Sequence, residues 1–455
     1  MAHKIREILS VIDSDDNLTS DTDSDDDPSE KESKPWNAYK TLLTSLSGGR
    51  RDHAYWISCL NEYLWRGKGN FSYTRDESGI PYFKNDSNSL NLCVECIDRH
   101  LKPEKEWDYK FLWEGNYWAE NVHDYGELTL EAVSTVINKC ANILKNFGVS
   151  KGKSVLLYLP KVIQLPIAVF ACARIGAVFT IVDSSNTNVT ELARIFEMID
   201  SEIIITVDGF WMGEELKSSK LILDMAIEKF HSETTLRIPK VLIIRHTGPN
   251  PAIPEPTKEY VGRRPWYQLN VPFIEGRDFH WSKLMIDASA ECEPEWLKAE
   301  DIVFKVVTKI QDVGWKIQPY NLGHTALLVK MLAKQLELGS RSPVWPVILS
   351  GDLLFVASLF AVSLTNAPLL LFEGSLEHPD PSRISMIIQK YKVEKLIITE
   401  DYVEYLINNP NYVKIWDISS LKLVYTCFND KDLSEKCKKV IRKQLDRVKV
   451  VQFFI

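Results

Sequence analysis

Residues 130–159, LEAVSTVINKCANILKNFGVSKGKSVLLYL, contain the pattern that decides the fold. Apolar residues recur every three or four positions from Leu130 to Leu144, which is the spacing of a helix with one buried face, and Gly148 ends it. A continuous apolar run follows at residues 154–159, which is typical of a strand covered on both sides. The stretch therefore predicts one helix–strand unit of a layered α/β fold.

The same unit repeats along the chain. Further helices are predicted at residues 164–175, 189–199 and 214–230. The strands between and after them are predicted at residues 178–182, 202–207 and 241–244. A second sheet is predicted to begin at Asp301, with strands at residues 302–308, 344–349, 368–372, 394–399, 422–427 and 449–454. We therefore predict an α/β fold of two doubly wound, mainly parallel sheets sandwiched by helices.

The composition restricts the function classes. A chain of 455 residues with 45% hydrophobic and 25% charged residues is typical of a globular protein. Its net charge of -8 disfavours nucleic acid and anionic membranes as partners. The most apolar stretch, residues 353–364, is shorter than the ~20 residues of a membrane span and predicts a core helix. Scattered cysteines and the lack of an apolar N-terminal signal favour a cytoplasmic or nuclear location.

An acidic tail is predicted at residues 1–34. It has few apolar residues and a dense run of acids, so we expect it to be disordered. Four hydroxyl residues have an acid three positions later, which suits an acid-directed kinase: Ser20, Thr22, Ser24 and Ser29. The simpler interpretation, a solvating tail without a switch, is favoured.

Six blocks of sequence resemble a known family when they are taken in order. They are NLCVECIDRHL at 91–101, FLWEG at 111–115, ACARIGAV at 171–178, WSKLMIDASAECEPEWLKAED at 281–301, LFEG at 371–374 and PDPSR at 379–383. Together they resemble the AMP-forming acetyl-CoA synthetases of the acyl-adenylate-forming superfamily. The resemblance implies the fold of that family's large N-terminal domain, which we expect to be incomplete at its C-terminus.

The resemblance also implies a domain order. It places an acetyl-CoA-synthetase-type cap at residues 35–97, a first α/β subdomain at 98–250, a linker at 251–280 and an AMP-binding-like second subdomain at 281–455. Aromatic residues of the cap, such as Trp56 and Tyr63, are expected to pack in the core. The family's mobile C-terminal lid and its catalytic lysine have no counterpart in this sequence, so we expect a truncated relative.

The family's phosphate loop is the motif that departs most from the pattern. In the family, a Thr/Ser/Gly-rich loop wraps the ATP phosphates with its backbone N–H groups. The matching residues 308–317, TKIQDVGWKI, keep Thr308 and Lys316. Bulky or charged residues stand where small ones belong: Lys309, Ile310, Gln311, Asp312, Val313 and Ile317. Thr308 and Lys316 are therefore the candidate cofactor-binding residues, as remnants of the loop or as chance retentions.

Other motifs that the resemblance implies have also changed. The adenine-supporting GEP motif falls at Phe428, Asn429 and Asp430, and only Gln452, Phe453 and Phe454 correspond to the aromatic motif DTWWQTE. The acyl-pocket tryptophan falls at Asp352, which we expect to be an unpaired carboxylate that would repel acetate. The two arginines that meet the CoA phosphate fall at Met212 and Glu215. We predict no catalytic residue and no metal ligand, and the Cys93/Cys96 pair lacks the second pair that a zinc site needs.

Three functions remain open. The leading hypothesis is a pseudoenzyme without ligase activity that acts as a protein-binding or regulatory scaffold, with a protein partner or self-association. No cofactor is expected, and ATP, AMP or CoA would bind only if residual affinity survives. The alternative is a divergent short-chain acyl-CoA ligase that forms an acyl-adenylate from ATP and passes the acyl group to CoA. The third is a sensor that binds a nucleotide or acyl-CoA without catalysis.

Overall fold

The structure is a computed structural model. It describes residues 34–46, 53–67, 69–75, 81–84, 88–101, 109–119, 122–233, 237–248, 250–251, 267, 269–310, 314–337, 342–399, 402, 405, 408–428, 439, 445 and 448–454. The acidic tail predicted at residues 1–34, with its four candidate phosphorylation sites, lies outside this range except for Lys34. None of the helices in these ranges is long and apolar enough to cross a membrane.

Helices and strands alternate through most of the described chain. The helices are α1 Lys34–Leu46, α2 His53–Asn61, α3 Leu92–Cys96, α4 Leu130–Asn146, α5 Gln164–Arg174, α6 Val189–Ile199, α7 Ser219–Glu233, α8 Trp281–Asp287, α9 Leu322–Gln335, α10 Leu353–Leu364 and α11 Arg383–Tyr391, with a 3-10 turn at Asp98–His100. The first strands are β1 Ser72–Arg75, β2 Pro81–Lys84, β3 Tyr109–Ala119, β4 Val122–Thr129, β5 Ser154–Leu159, β6 Val178–Asp183, β7 Ile203–Val207, β8 Phe210–Met212 and β9 Glu215–Lys217. The later strands are β10 Lys240–Ile244, β11 Asp278–His280, β12 Ile302–Ile310, β13 Gly314–Asn321, β14 Val344–Val347, β15 Leu369–Phe372, β16 Lys395–Ile398, β17 Leu423–Phe428 and β18 Lys449–Phe454.

Two large sheets organise these elements. The first sheet has the strand order β11-β10-β7-β5-β6-β12-β13 and the second has the order β18-β17-β16-β14-β15-β3-β4. Neighbouring strands are parallel except for the antiparallel pairs β12–β13 and β3–β4 at one edge of each sheet. This confirms the predicted α/β fold of two mainly parallel sheets flanked by helices.

The prediction that a second sheet begins at Asp301 is wrong. Strand β12 pairs with β6 of the first sheet, and the ring of Phe304 stacks on that of Phe179 at 5.5 Å. The second sheet instead receives β3 and β4, which precede the whole first sheet in the chain. Periodicity identifies a strand but not its neighbour, because the neighbour is chosen by packing between residues that are distant in sequence.

The predicted helix at residues 214–230 also begins too early. Residues 210–217 form the β8–β9 hairpin, and the helix starts at Ser219. The turn contains Gly213 at a φ of +64°, and the Asn116 side chain bonds both the N–H and the carbonyl of this glycine at 2.8 Å. A contact across nearly a hundred residues therefore overrides the local helical pattern.

One continuous core joins the cap to both sheets. Every residue of α10 is buried, which confirms the core helix predicted there. The ring of Phe360 on α10 meets Phe170 on α5 at 5.1 Å, edge to face. The cap is attached to α9 through buried aromatic residues, because Tyr39 and Tyr63 donate hydrogen bonds from their hydroxyls to backbone carbonyls of that helix. The aromatic residues of the cap therefore pack as predicted.

Candidate functional site

The predicted phosphate loop is a β-hairpin. Strands β12 and β13 pair residue by residue from Lys305 opposite Pro319 to Ile310 opposite Gly314. Thr308 lies directly opposite Lys316 in this ladder. Only residues 311–313 separate the two strands, and they lie outside the described residues. The positions at which the family has a loop are therefore mostly occupied by paired strands.

The bulky residues of this hairpin pack on its outer face. Val307, Trp315 and Ile317 contact the apolar cluster that α6 and α7 form with the first sheet. Lys309 forms an ion pair with Glu191 on α6, and its ammonium lies 5.7 Å from the centroid of the Trp315 ring. The residues that replace the loop therefore stabilise the hairpin by packing on this face.

Thr308 and Lys316 lie on the other face of the hairpin. Side chains alternate along a strand, so these two share the face of Val306 and Gln318, which are both buried, and Val306 belongs to the core between the sheets. Thr308 is exposed and Lys316 is half-buried. The structure brings the two predicted residues together on the inter-sheet side. Within the described ranges, no group of three or more His, Cys, Asp and Glu residues is placed to hold a metal ion.

The other motif positions are spread over the molecule. Met212 and Glu215 oppose each other in the β8–β9 hairpin, and Glu215 pairs with Lys217 at 2.5 Å. Phe428 ends β17, opposite Phe454 of β18, while residues 429 and 430 lie outside the described residues. His100 has its Nε2 at 3.0 Å from the carbonyl oxygen of Leu364, which is a structural role.

The expectation that Asp352 is unpaired is wrong. This residue is exposed just before α10 and interacts with Lys161. Burial lowers the pKa of Lys161, and Asp183 and Asp352 partly offset that effect. A lysine that follows β5 therefore lies within electrostatic range of this carboxylate, which no local pattern could indicate.

Two of the sequence blocks meet in a buried ion network. Glu114 of the FLWEG block accepts hydrogen bonds from Arg383 of the PDPSR block at 3.0 Å, from Lys390 at 2.6 Å and from Tyr391 at 2.7 Å. Glu114 and Arg383 are both fully buried in this ion pair. Burial, and then the Glu114 carboxylate, raise the pKa of the Tyr391 hydroxyl. The network fixes β3 to α11, so these blocks have a structural role.

A polar cavity lies where the two sheets face each other. Its volume is about 310 Å³. One wall comes from β3 and β4 of the second sheet, and the other comes from the residues that follow β5 and β10 of the first. Its lining includes Trp113, Asp124, Glu127, Gln164, Arg245 and His246. Sequence reasoning missed this site, because nothing local shows that residues near 124 lie against residues near 245.

Buried acids hold the two basic residues of the cavity. The Nε2 of His246 lies 2.6 Å from an oxygen of Glu373, and the Nε of Arg245 lies 3.5 Å from an oxygen of Asp208. Asp208 is fully buried and also accepts hydrogen bonds from the backbone N–H groups of His246 and Thr247, at 2.8 and 3.0 Å. Its carboxylate thus fixes the segment that leaves β10.

Comparison with known proteins gives the same family as the sequence blocks. The family described as "AMP-binding enzyme" matches residues 113–308. Acetyl-coenzyme A synthetase of Drosophila melanogaster is 27% identical over 363 residues, which is 74% of this chain and 50% of that protein. Acetyl-coenzyme A synthetase of Pyrobaculum aerophilum is 28% identical over 388 residues, which is 82% of this chain and 53% of that protein. This chain is a distant, acetyl-CoA-synthetase-like member of the adenylate-forming superfamily.

A solved structure supports the fold. Acetoacetyl-CoA synthetase from Streptomyces lividans superimposes with a TM-score of 0.70 at 14% identity, over 92% of this chain and 62% of that one. The chain spans about half the length of the curated relatives it matches. The AMP-binding match ends at Thr308, where the family's phosphate loop would begin and where this chain continues as a hairpin.

Proposed function

We propose that this chain is an acetyl-CoA-synthetase-like pseudoenzyme that does not ligate acyl groups and acts as a scaffold for protein binding. The observation that carries the proposal is the β12–β13 ladder, which is continuous to Ile310 opposite Gly314. A phosphate loop needs backbone N–H groups that are free to point at the ligand. In a ladder of antiparallel strands, half of these groups are bonded to the partner strand instead.

The expected loss of ATP affinity is large. Each charge-assisted hydrogen bond to a phosphate contributes roughly 1.5–3 kcal/mol. Losing three or four of them weakens binding by about three or more decades. Lys316 alone supplies one point charge to a ligand with several negative charges, so it cannot replace the missing donors.

The partner is expected to be a protein, which includes a second copy of this chain. Strand β18 has a neighbouring strand on one side only among the described strands. An open strand edge carries N–H and C=O groups that can pair with another chain. Light scattering on the purified protein tests self-association, and a monodisperse monomer at all concentrations would argue against it.

Activity assays test the loss of ligase chemistry. We expect no ATP–pyrophosphate exchange above background with acetate, propionate or butyrate, and no saturable ATP binding by calorimetry below about 1 mM. The Drosophila melanogaster relative, assayed in parallel, controls for the conditions. Exchange by this chain that disappears in Lys316→Ala would overturn the proposal.

The second candidate is a divergent short-chain acyl-CoA ligase. The observation that favours it is the placement of Thr308 and Lys316 on the face that looks toward the second sheet. A thermal-shift panel with ATP, AMP and acetyl-CoA detects ligand binding. A thermal shift without ATP–pyrophosphate exchange would indicate a sensor that binds its ligand without turnover. A ligand at 100 times its Kd stabilises the fold by about 2.7 kcal/mol, so binding would be readily measured.

A further inference from the structure

The topology of the first sheet places a crevice beside β5. The chain runs from β5 to β6 on one side and then crosses back to β7 on the other side of β5. In open parallel sheets, ligands bind outside the carboxyl ends of the strands at such a switch point. The segments that follow β5 and β10 at these carboxyl ends supply Gln164, Arg245 and His246 to the polar cavity.

The second sheet closes this crevice into a pocket. Its β3–β4 hairpin contributes Trp113 and residues 124–128 as the facing wall. The volume of about 310 Å³ is at the lower end of the ~300–1,000 Å³ that small-molecule sites occupy. The pocket is therefore large enough for one small metabolite and too small for a nucleotide with its phosphates.

Two polar atoms of the lining indicate what such a molecule must supply. Trp113 is only 7% exposed, and its indole N–H has no hydrogen-bond partner in the described part of the chain. The side-chain oxygen of Gln164 is likewise buried without a partner there. Each unsatisfied group costs roughly 1–3 kcal/mol. A ligand with one acceptor and one donor would satisfy both.

The charges of the lining select a cation. The positive charge of Arg245 is offset by Asp208, and the His246 ring contacts the carboxylate of Glu373. Asp124, which is buried, and Glu127, which is exposed, add two further negative charges to the wall. The Lys390 ammonium lies 4.3 Å from the ring centroid of the lining residue Tyr125, but it is bonded to Glu114 at 2.6 Å.

Aromatic rings add to this preference. Trp113 and Tyr125 both line the pocket, and the Trp113 ring meets that of His246 edge to face at 5.7 Å. The faces of Trp and Tyr attract ammonium groups by about 0.5–2 kcal/mol, more strongly where water is excluded. An anionic ligand would instead meet two carboxylates.

We propose that this pocket binds a small organic cation, a protonated amine that also carries a hydroxyl or carbonyl oxygen. The ammonium group lies between Asp124, Glu127 and the Gln164 oxygen, and the ligand oxygen accepts the Trp113 N–H. A ligand of this class is positively charged, whereas ATP, acetate and CoA are negatively charged. The inference is independent of the proposed loss of ligase activity, since it uses none of the hairpin residues.

Three probes of equal length test the choice of charge. They are 5-amino-1-pentanol, 1,5-pentanediol and 5-hydroxypentanoate, titrated into the full chain and followed by calorimetry and saturation-transfer NMR. We expect the amino alcohol to bind at least about tenfold more tightly than the diol, which corresponds to 1.4 kcal/mol, and the carboxylate not to bind. Equal affinity for all three, or no binding of the amino alcohol at about 10 mM, would overturn the proposal.

Variants then locate the site. Asp124→Asn and Glu127→Gln are each expected to weaken amino-alcohol binding by about tenfold, and Trp113→Phe by a few-fold, because it keeps a ring and removes the N–H. Glu197→Gln, an exposed acid on α6, is the matched control and should leave Kd unchanged. Because Glu127 is exposed, its variant remains informative if Asp124→Asn fails to fold. An unchanged Kd in Glu127→Gln and in each folded variant would disprove this location.

Discussion

Lys110 is a lysine whose side chain is almost completely buried, at 1% exposure. Its ammonium donates hydrogen bonds to the carbonyl of Ser363 at 2.9 Å and to the side chain of Asn366 at 3.2 Å, at the C-terminal end of α10. Burial lowers the pKa of Lys110 to about 7. The residue therefore caps a core helix at the expense of a desolvated charge.

This pKa makes stability depend on pH. Between pH 7 and about 10.4, the unfolded chain binds a proton at Lys110 that the folded chain does not. The contribution of Lys110 to the free energy of unfolding is thus lowest below pH 7, and it rises with pH between pH 7 and about 10.4. We expect wild type to gain up to about 1.4 kcal/mol per pH unit relative to Lys110→Met between pH 7.5 and 9.

Urea unfolding of both proteins across this pH range measures the difference. Lys298→Met, at an exposed lysine, is the control and should follow wild type at every pH. Parallel pH profiles of wild type and Lys110→Met would show that the Lys110 amine is charged in the folded state throughout.

The fully buried pair of Glu114 and Arg383 gives a second residue-scale prediction. Arg383→Met removes one member and leaves a buried carboxylate with less compensation, so we expect a loss of about 3–5 kcal/mol. Two other nitrogens of Arg383, Nε and Nη1, lack hydrogen-bond partners within the described residues, so the native pair already contains a desolvation cost. The double variant Glu114→Gln/Arg383→Met should therefore lose less than the sum of the single changes.

Denaturant unfolding of the two single variants and the double variant forms the cycle. A coupling energy within about 0.5 kcal/mol of zero would contradict direct coupling of the two charges. The sequence blocks indicated that Glu114 and Arg383 matter to the family resemblance. Only the structure shows that they are partners, because they are 269 positions apart in the chain and no local pattern connects them.

At the scale of elements, the β12–β13 hairpin depends on its outer-face packing. Trp315 is half-buried against the cluster under α6, next to Lys309. We expect Trp315→Ala to destabilise the hairpin by about 1–3 kcal/mol, below the cost of a fully buried aromatic residue. Hydrogen exchange should accelerate at the amides of β12 and β13.

The internal reference is hydrogen exchange at the amides of β5 and β7, at the centre of the same sheet, and its rate should change little. Equal acceleration in all four strands would show that the hairpin is not an independent unit of local opening.

The sequence predicted individual elements better than their neighbours. Helix Val189–Ile199 and strand Ser154–Leu159 lie where periodicity placed them, because each has an unbroken pattern and a clear end. The β8–β9 hairpin was missed because its turn is held by Asn116, far away in the chain. The family's phosphate-loop motif identifies Thr308 and Lys316 as remnants. That they lie directly opposite each other follows only from the register of β12 and β13.

At the scale of the whole molecule, the two sheets exchange strands. The part of the chain before residue 252 gives β3 and β4 to the second sheet, and the part after residue 266 gives β11, β12 and β13 to the first. We therefore expect that a chain cut between Pro256 and Thr257, at an inserted protease site, stays together. Each fragment would have to expose buried strands to leave.

Size-exclusion chromatography of the cut protein measures this. The fragments should co-elute in buffer and separate in about 6 M urea, where small domains are generally unfolded. Separation in buffer would show that the division predicted at residues 251–280 is a true boundary between independent units.

The late pairing of an early hairpin has a consequence for biosynthesis. The β3–β4 hairpin ends at Thr129, whereas β15, its neighbour among the described strands of the sheet, ends at Phe372, about 240 residues later. Ribosomes add roughly 5–20 residues per second, so this hairpin waits on the order of 10–50 s for its partner. During that interval its apolar residues, Phe111 and Trp113 among them, have no sheet to join, which makes the nascent chain a natural client for chaperones.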